Sequence, residues 1–283
     1  VTLHRADLKT LWLLGRPVAH SLSPLIQNTA LAELGEPLVY LAASVEESQL
    51  ESAVRGLMSL GALGANVTVP HKEAAFRLCD ARSPRANAIG ACNVLRFVEG
   101  QLLGDNTDGV GWKRGLDEML GGVLPERAII LGAGGAARAV VHTLAEHGVP
   151  ELTILNRTPE RAHQLAEALT TGYGGRVLVD GLEGWDQRLT PGCLVVQTTS
   201  AALREGSAVP LPSFWPPGAV LSELIYGRQT PLAAAVSALG GRVQDGLPML
   251  IHQAAESLAI WLQRPLQEIP VDSMLRAARR RLA

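Results

Sequence analysis

The chain has 283 residues, 47% of them hydrophobic and 18% charged, with a formal net charge of −2. That is length for one large or two ordinary domains with ample core, and the near-neutral balance gives no reason to invoke nucleic acid or a membrane surface. No apolar run reaches the roughly 18 residues of a membrane span and the N-terminus lacks a signal-peptide layout, while Cys79, Cys92 and Cys193 are scattered, odd in number and without metal-ligand spacing, which fits a reduced cytoplasm and argues against a disulfide framework or structural zinc.

Leu11 to Leu14 reads as a first strand, followed by Gly15-Arg16-Pro17 and "HSLSP". Ser23-Pro24 is a helix start, with Ser as N-cap and Pro at the first helical position, and that helix is expected to run to about Leu34 and stop at Gly35. Leu38 to Ala42 is a second strand. Glu46 to Leu60 is an amphipathic helix with Leu50, Ala53, Val54, Leu57 and Met58 on one face. Ala65 to Val69 is a third strand closed by Pro70, Lys72 to Cys79 is helical, and Val94 to Val98 and Gln101 to Leu103 form a hairpin across Glu99-Gly100. Strands alternating with helices imply an open α/β sheet for this half.

Four polar clusters fall at element ends, where α/β sheets build their sites. Ser21 and Ser23 are hydroxyls beside a helix start, suited to a carboxylate or to capping alone. Asn66 and Thr68, two apart on a strand, point to one face, and Lys72 follows just past Pro70. The chain has only three lysines, Lys9, Lys72 and Lys113, among 25 basic residues. An ammonium can act as acid or base where a guanidinium cannot. Asn93 opens the hairpin, and Asn106, Thr107 and Asp108 close it, Asp108 also being placed to cap the next helix. Together these groups are what a compact polyol acid would require.

Helix Val110 to Leu120 leads to Arg127–Arg138, RAIILGAGGAAR, around which the second half is organised. Ala128 to Leu131 is a buried parallel strand. Gly132, Gly134 and Ala137 follow in G-x-G-x-x-A spacing: a tight turn, a close backbone approach for a pyrophosphate, and close helix–strand packing. The amides at the helix start then face an anion. Glu151 to Leu155 is the next strand. An NAD site usually carries an acid there for the ribose 2′-hydroxyl, whereas this chain has Asn156 and Arg157, with Arg161 one turn on. Guanidiniums grip a 2′-phosphate, and cations at a helix N-terminus oppose its dipole unless something calls for them. The pattern favours NADP. Further strands are expected at Val177 to Val179, Leu194 to Gln197, Val220 to Leu224 and Arg242 to Gln244, with a helix over Pro231 to Leu239. The last two helices, Met249 to Leu262 and Val271 to Leu282, have no strand to cross to and are expected to fold back onto the first domain.

With "GRPVAHSLSP", "NVTVPHK", "IGACNVL", "GDNTDGVG", "GAGGAAR", "NRTPERA", "IYGRQTP" and "GLPMLIHQA" in place, the chain closely resembles the shikimate/quinate dehydrogenase family over nearly its whole length. The resemblance implies an α/β protein of two open α/β domains around a cleft: a substrate-binding domain of residues 1–108 plus 247–283 and a Rossmann-like NADP-binding domain of residues 109–246. It implies NADP-dependent, reversible reduction of 3-dehydroshikimate to shikimate, with Lys72 and Asp108 as the catalytic pair. Ser21, Ser23, Asn66, Thr68, Asn93, Tyr226 and Gln253 would line the shikimate site. Gly132, Ala133, Gly134, Gly135, Ala136, Asn156, Arg157, Thr158, Arg161 and Thr199 would meet the cofactor. The expected partner is this small-molecule substrate, with no nucleic acid, membrane or metal, and with a homodimer open.

Several positions depart from the family pattern. Gln27-Asn28 stands for His-Asn, Val94 for Thr, Gln197-Thr198-Thr199-Ser200 for Asn-Ala-Thr-Ser, Glu223 for Asp and Arg228 for Pro. None removes a residue assigned to chemistry, and they leave open a relative acting on quinate or another cyclic hydroxy acid. Glutamyl-tRNA reductase, with a similar glycine loop, would need a nucleophilic cysteine, and neither Cys79 nor Cys92 has an adjacent His or helix N-terminus. A non-catalytic NADP-sensing regulator would not need Lys72 and Asp108.

Overall fold

The computed structural model describes residues 8–169, 172–199 and 209–283; Ser200 lies outside the described residues. The chain divides into two compact units, Val1–Gly111 with Leu250–Ala283, and Trp112–Met249.

In the first unit β1 (Lys9–Gly15), β2 (Leu38–Ser44), β3 (Gly64–Val67), β4 (Ala81–Arg82), β5 (Val94–Val98) and β6 (Gln101–Asp105) form one sheet in the order β2-β1-β3-β5-β6-β4. It is mixed: β1 runs parallel to β2 and β3, while β5 is antiparallel to both β3 and β6. The hairpin turns where Glu99 and Gly100 both take positive φ, the backbone a two-residue turn of this hand requires. Helices α1 (Ser23–Glu33), α2 (Leu50–Ser59), α3 (Lys72–Leu78) and α4 (Pro84–Ile89) connect these strands. The apolar face of α2, Leu50, Val54 and Leu57, packs with Leu14, Ala65, Val67 and Leu95 of the sheet. At the chain's end α9 (Leu247–Leu262) and α10 (Val271–Leu282) follow; α10 packs on α1 and Gln27 Nε2 donates to Ala254 O at 3.0 Å.

Three local expectations change. Ser23 is the first residue of α1 rather than its cap, because Ser21 Oγ takes the Ser23 N–H and moves the helix start one residue earlier, to Leu22. Strand β3 ends at Val67: Thr68 N reaches across to Leu14 O, and Thr68 O accepts His71 N as the chain turns. Strand alternation therefore does not govern Thr68; its methyl sits over Gly15, where a Cβ would collide with it. The short β4 and α4 carry too few residues for any periodicity to reveal them.

The second unit has β7 (Arg127–Leu131), β8 (Glu151–Leu155), β9 (Arg176–Asp180), β10 (Leu194–Gln197), β11 (Val220–Glu223) and β12 (Arg242–Gln244) in the order β12-β11-β10-β7-β8-β9, and every pairing is parallel. This is the doubly wound Rossmann order, whose switch point lies between β7 and β10. Alternate residues of β7 go to opposite faces: Ala128 and Ile130 pack with Val140 and Leu144 of α6 (Gly135–Glu146) and with Leu165 of α7 (Pro159–Leu169), Ile129 and Leu131 with Trp185 and with Leu232 and Val236 of α8 (Pro231–Ala238). Both faces are covered, as a parallel sheet demands. Trp112, on α5 (Asp108–Leu120), is buried on the first of these faces, and its indole donates to Ser222 Oγ at 3.0 Å. Among the described residues no helix is long and apolar enough to cross a membrane.

Candidate active site

Three of the four polar clusters of the first unit are joined by side-chain contacts. Lys72 begins α3 and Asp108 begins α5, and Lys72 Nζ lies 2.6 Å from Asp108 Oδ2 with side chains only 12% and 4% exposed. A pair so poorly hydrated is costly to bury unless further hydrogen bonds complete it. Asn93 supplies one, its Nδ2 lying 3.0 Å from Asp108 Oδ1. The same nitrogen faces Thr107 Oγ1 and Gln253 Oε1, and Asn93 Oδ1 accepts Thr107 N at 2.8 Å. Asp108 is not the cap of α5. It is the first residue of the helix, and its amide goes to Asn106 Oδ1 while Asn106 Nδ2 donates to Ala91 O, which leaves both carboxylate oxygens of Asp108 for Lys72 and Asn93.

Asn66 joins the same network. Its Nδ2 donates to Asn93 O and Ser257 Oγ, and its Oδ1 accepts the Tyr40 hydroxyl at 2.8 Å. Tyr40 and Ser257 were not singled out from the sequence. Ser257 lies four residues beyond Gln253 on one face of α9, a spacing that could have pointed to it, whereas Tyr40 reads as an ordinary strand aromatic. Ser21 and Ser23 bond each other, Oγ to Oγ at 3.1 Å. Thus the structure gathers Lys72, Asp108, Asn93, Asn66 and Gln253 into one hydrogen-bonded set, with the Ser21–Ser23 pair and Thr68 outside it. Tyr226 belongs to the second unit.

Behind Asp108 the loop is anchored by Asp105, which accepts Ser83 Oγ at 2.5 Å, Arg85 at 2.6 and 3.0 Å, and Asn106 N at 2.7 Å. Burial pushes the Asp105 carboxyl up, but the bonds from Arg85 and Ser83, the Arg85 charge and the Asn106 amide outweigh it and hold it below the usual carboxylate range. A depressed carboxylate contributes stability above its unfolded value and loses it as pH falls through the folded one. Arg85→Ala is therefore expected to melt at a lower temperature than the parent at pH 7, with the two curves converging below about pH 5. A gap that stays constant from pH 7 to pH 2 would show that the ion pair does not anchor the loop.

In the second unit Gly132 has φ +120°, donates its N–H to Leu155 O at 2.7 Å, and stands where a Cβ would strike Thr198. Gly134 is the N-cap of α6 with no side-chain cap, and a Cβ there would meet open space. Ala133 and Ala137 are buried against the sheet, while Gly134, Gly135 and Ala136 stay partly exposed. Backbone amides left uncapped beside open space, at the switch point of a parallel sheet, fit a pyrophosphate. After β8, Asn156 folds its turn by donating to Thr158 O, and Arg157, Thr158 and Arg161 are exposed. Gln197 holds the turn after β10: its Oε1 accepts Thr199 N and its Nε2 donates to Thr199 Oγ1. The longer amide thus closes the turn around Thr199. Glu223, at the end of β11, is buried, accepts Ile225 N and Thr230 Oγ1, and brackets the loop of Tyr226; burial pushes its carboxyl up, partly offset by those bonds. Among the described residues no group of His, Cys, Asp or Glu could hold a metal ion.

The model of the family described as "Shikimate dehydrogenase substrate binding domain" matches residues 13–95, and that described as "Shikimate / quinate 5-dehydrogenase" matches residues 117–202. A shikimate dehydrogenase (NADP(+)) of Moorella thermoacetica is 44% identical over 271 residues, 94% of this chain and 92% of the relative. One of Methanopyrus kandleri is 38% identical over 96% of this chain and 95% of its own. The crystal structure of shikimate 5-dehydrogenase of Thermus thermophilus in complex with NADP(H) and shikimate is 37% identical, covers 96% of this chain and 99% of its own, and superposes with a TM-score of 0.80.

Proposed function

The chain belongs to the shikimate dehydrogenase family, and from that premise we propose that it catalyses the reversible NADP-dependent reduction of 3-dehydroshikimate to shikimate, a step of aromatic amino acid biosynthesis. The observation that carries the chemistry is the Lys72–Asp108 contact at 2.6 Å, nearly dry and completed by Asn93. When bound, the reduced nicotinamide supplies the hydride to the ring carbonyl carbon. Lys72 Nζ donates the proton to the alkoxide oxygen that develops there and takes it back in oxidation. Asp108 holds the ammonium in place and is itself oriented by Asn93. Ser21 and Ser23 bind the substrate carboxylate; Asn66, Thr68, Asn93, Tyr226 and Gln253 contact the ring and its hydroxyls.

Gly132, Ala133, Gly134, Gly135 and Ala136 receive the pyrophosphate of NADP on the start of α6. Asn156, Arg157, Thr158 and Arg161 would hold the adenosine end with its 2′-phosphate, and Thr199 would also meet the cofactor. Residues 1–108 plus 247–283 act as the substrate-binding part and residues 109–246 as the NADP-binding part. The protein works in the cytoplasm, where Cys79, Cys92 and Cys193, all free and buried, stay reduced. Its one protein partner in this reading is a second copy in a homodimer, to be read by light scattering.

Initial rates with shikimate and quinate, each with NADP and with NAD, test the assignment, with shikimate and NADP expected to give the highest kcat/KM. A higher value with quinate would move the chain to the quinate-preferring reading that the family description also covers. Replacing Ser21 and Ser23 together with Ala is expected to raise the KM for shikimate at least about tenfold, since each hydrogen bond to a charged group is lost at a cost near a factor of ten, and to leave the KM for NADP unchanged. Unaltered shikimate affinity would reduce the two serines to elements of the helix start.

A further inference from the structure

Asn66 has almost no hydrogen-bonding capacity left over, and what remains is of one kind. A primary amide offers two N–H donors and two lone pairs. Both donors are spent, on Asn93 O at 2.9 Å and on Ser257 Oγ at 3.1 Å. Asn93 O is a carbonyl and can only accept, which fixes which end of the amide is nitrogen. Ser257 cannot reverse its bond, because an amide nitrogen offers no lone pair to accept with, and its own hydrogen has Gln253 O at 2.8 Å and Thr107 Oγ1 at 3.1 Å as partners. On the other side the Tyr40 hydroxyl donates to Asn66 Oδ1 at 2.8 Å, and burial pushes that phenol well above its usual range, so it remains a donor. One lone pair on Oδ1 is left.

We infer that Tyr40 and Ser257 are positioning residues that make Asn66 a pure acceptor toward the substrate, able to take a hydrogen bond from a ring hydroxyl and unable to give one. This rests on the reading above that Asn66 faces the substrate. It sets the class of ring the site admits: one with a hydroxyl or another donor at that position. An ether oxygen or a fluorine there would set acceptor against acceptor.

The test uses shikimate analogues with one ring hydroxyl at a time replaced by fluorine, their dissociation constants measured by calorimetry on the cofactor-free enzyme so that no turnover intervenes. One analogue is expected to bind the parent protein at least about tenfold more weakly than shikimate. That deficit is expected to shrink to within about twofold in Asn66→Ala, where the lone pair is gone. Tyr40→Phe and Ser257→Ala are expected to raise the KM for shikimate about threefold to tenfold with kcat and the KM for NADP retained, a split that a general loss of packing would not give. Fluoro analogues that all bind as shikimate does, or Tyr40→Phe and Ser257→Ala both at parental KM, would overturn the inference. Should Asn66→Ala not fold, Tyr40→Phe, which loses one hydroxyl and keeps its ring beside Trp261, carries the test with the same two outcomes. Asn66→Ala that folds and leaves the shikimate dissociation constant unchanged would instead remove the premise that Asn66 contacts substrate.

Discussion

Replacing Lys72 by alanine or by arginine is expected to lower kcat at least about a hundredfold, with the KM for NADP close to its parental value. The two substitutions ask different questions. Alanine removes the ammonium proposed as proton donor and also strands Asp108, whose Oδ2 then loses its partner at a position only 4% exposed; a buried carboxylate without a counter-charge destabilises its surroundings. Arginine keeps a positive charge beside Asp108 but does not give up a proton at working pH. It therefore separates proton transfer from electrostatic anchoring. Both variants need a melting curve and a cofactor-binding measurement alongside the rates, so that a fall in kcat is not mistaken for lost folding. An arginine variant with near-parental kcat would show that only charge is needed at this position, and the proton would then have to come from water or another side chain.

How much of this site could be read from residues alone follows from how local each signal is. The glycine loop was legible because its shape is written within twelve residues: a buried strand, three small residues at fixed spacing, and a helix. Sheet two was legible for the same reason, its strands being short apolar runs, with helices of ordinary length following β7, β8 and β11. The partnership of Lys72 and Asp108 is 36 residues long in sequence, and only the resemblance suggested it; neither spacing nor composition could. Asn93 as the group that orients Asp108 depends on side-chain geometry across the two open ends of the β5–β6 hairpin, and the Asn106 bond that takes up the Asp108 amide on geometry within one turn. Tyr40 was illegible for a deeper reason. An aromatic residue in a half-buried strand is expected on packing grounds alone, and nothing in the sequence says that its hydroxyl meets an amide 26 residues away. The misplaced cap at Ser23 shows a limit of local rules as well: two serines two apart can each cap, and the one nearer the preceding chain took the amide.

Arg157→Ala is expected to raise the KM for NADP at least about tenfold and to leave that for NAD nearly unchanged. The end of β8 carries Asn156, Arg157 and Thr158, with no carboxylate among them. Asn156 turns inward, its N–H going to Asp180 O and its side-chain amide to Thr158 O. That compact turn leaves the Arg157 side chain exposed beyond the end of β8, where Rossmann proteins hold the adenosine ribose. A guanidinium there has a reason to exist only if an anion comes to it, since the start of α7 disfavours a cation through its dipole. A 2′-phosphate is such an anion, and its planar fit to guanidinium gives two charge-assisted bonds at once. NAD lacks the phosphate, so the substitution removes nothing that NAD uses. Arg157→Lys sharpens the result: charge is kept and the two-pronged geometry is lost, so its KM for NADP should fall between those of the parent and the alanine variant. Equal losses for NADP and NAD in Arg157→Ala would mean that the residue shapes the loop rather than reads the phosphate, and cofactor choice would then rest on Arg161 and the backbone around it.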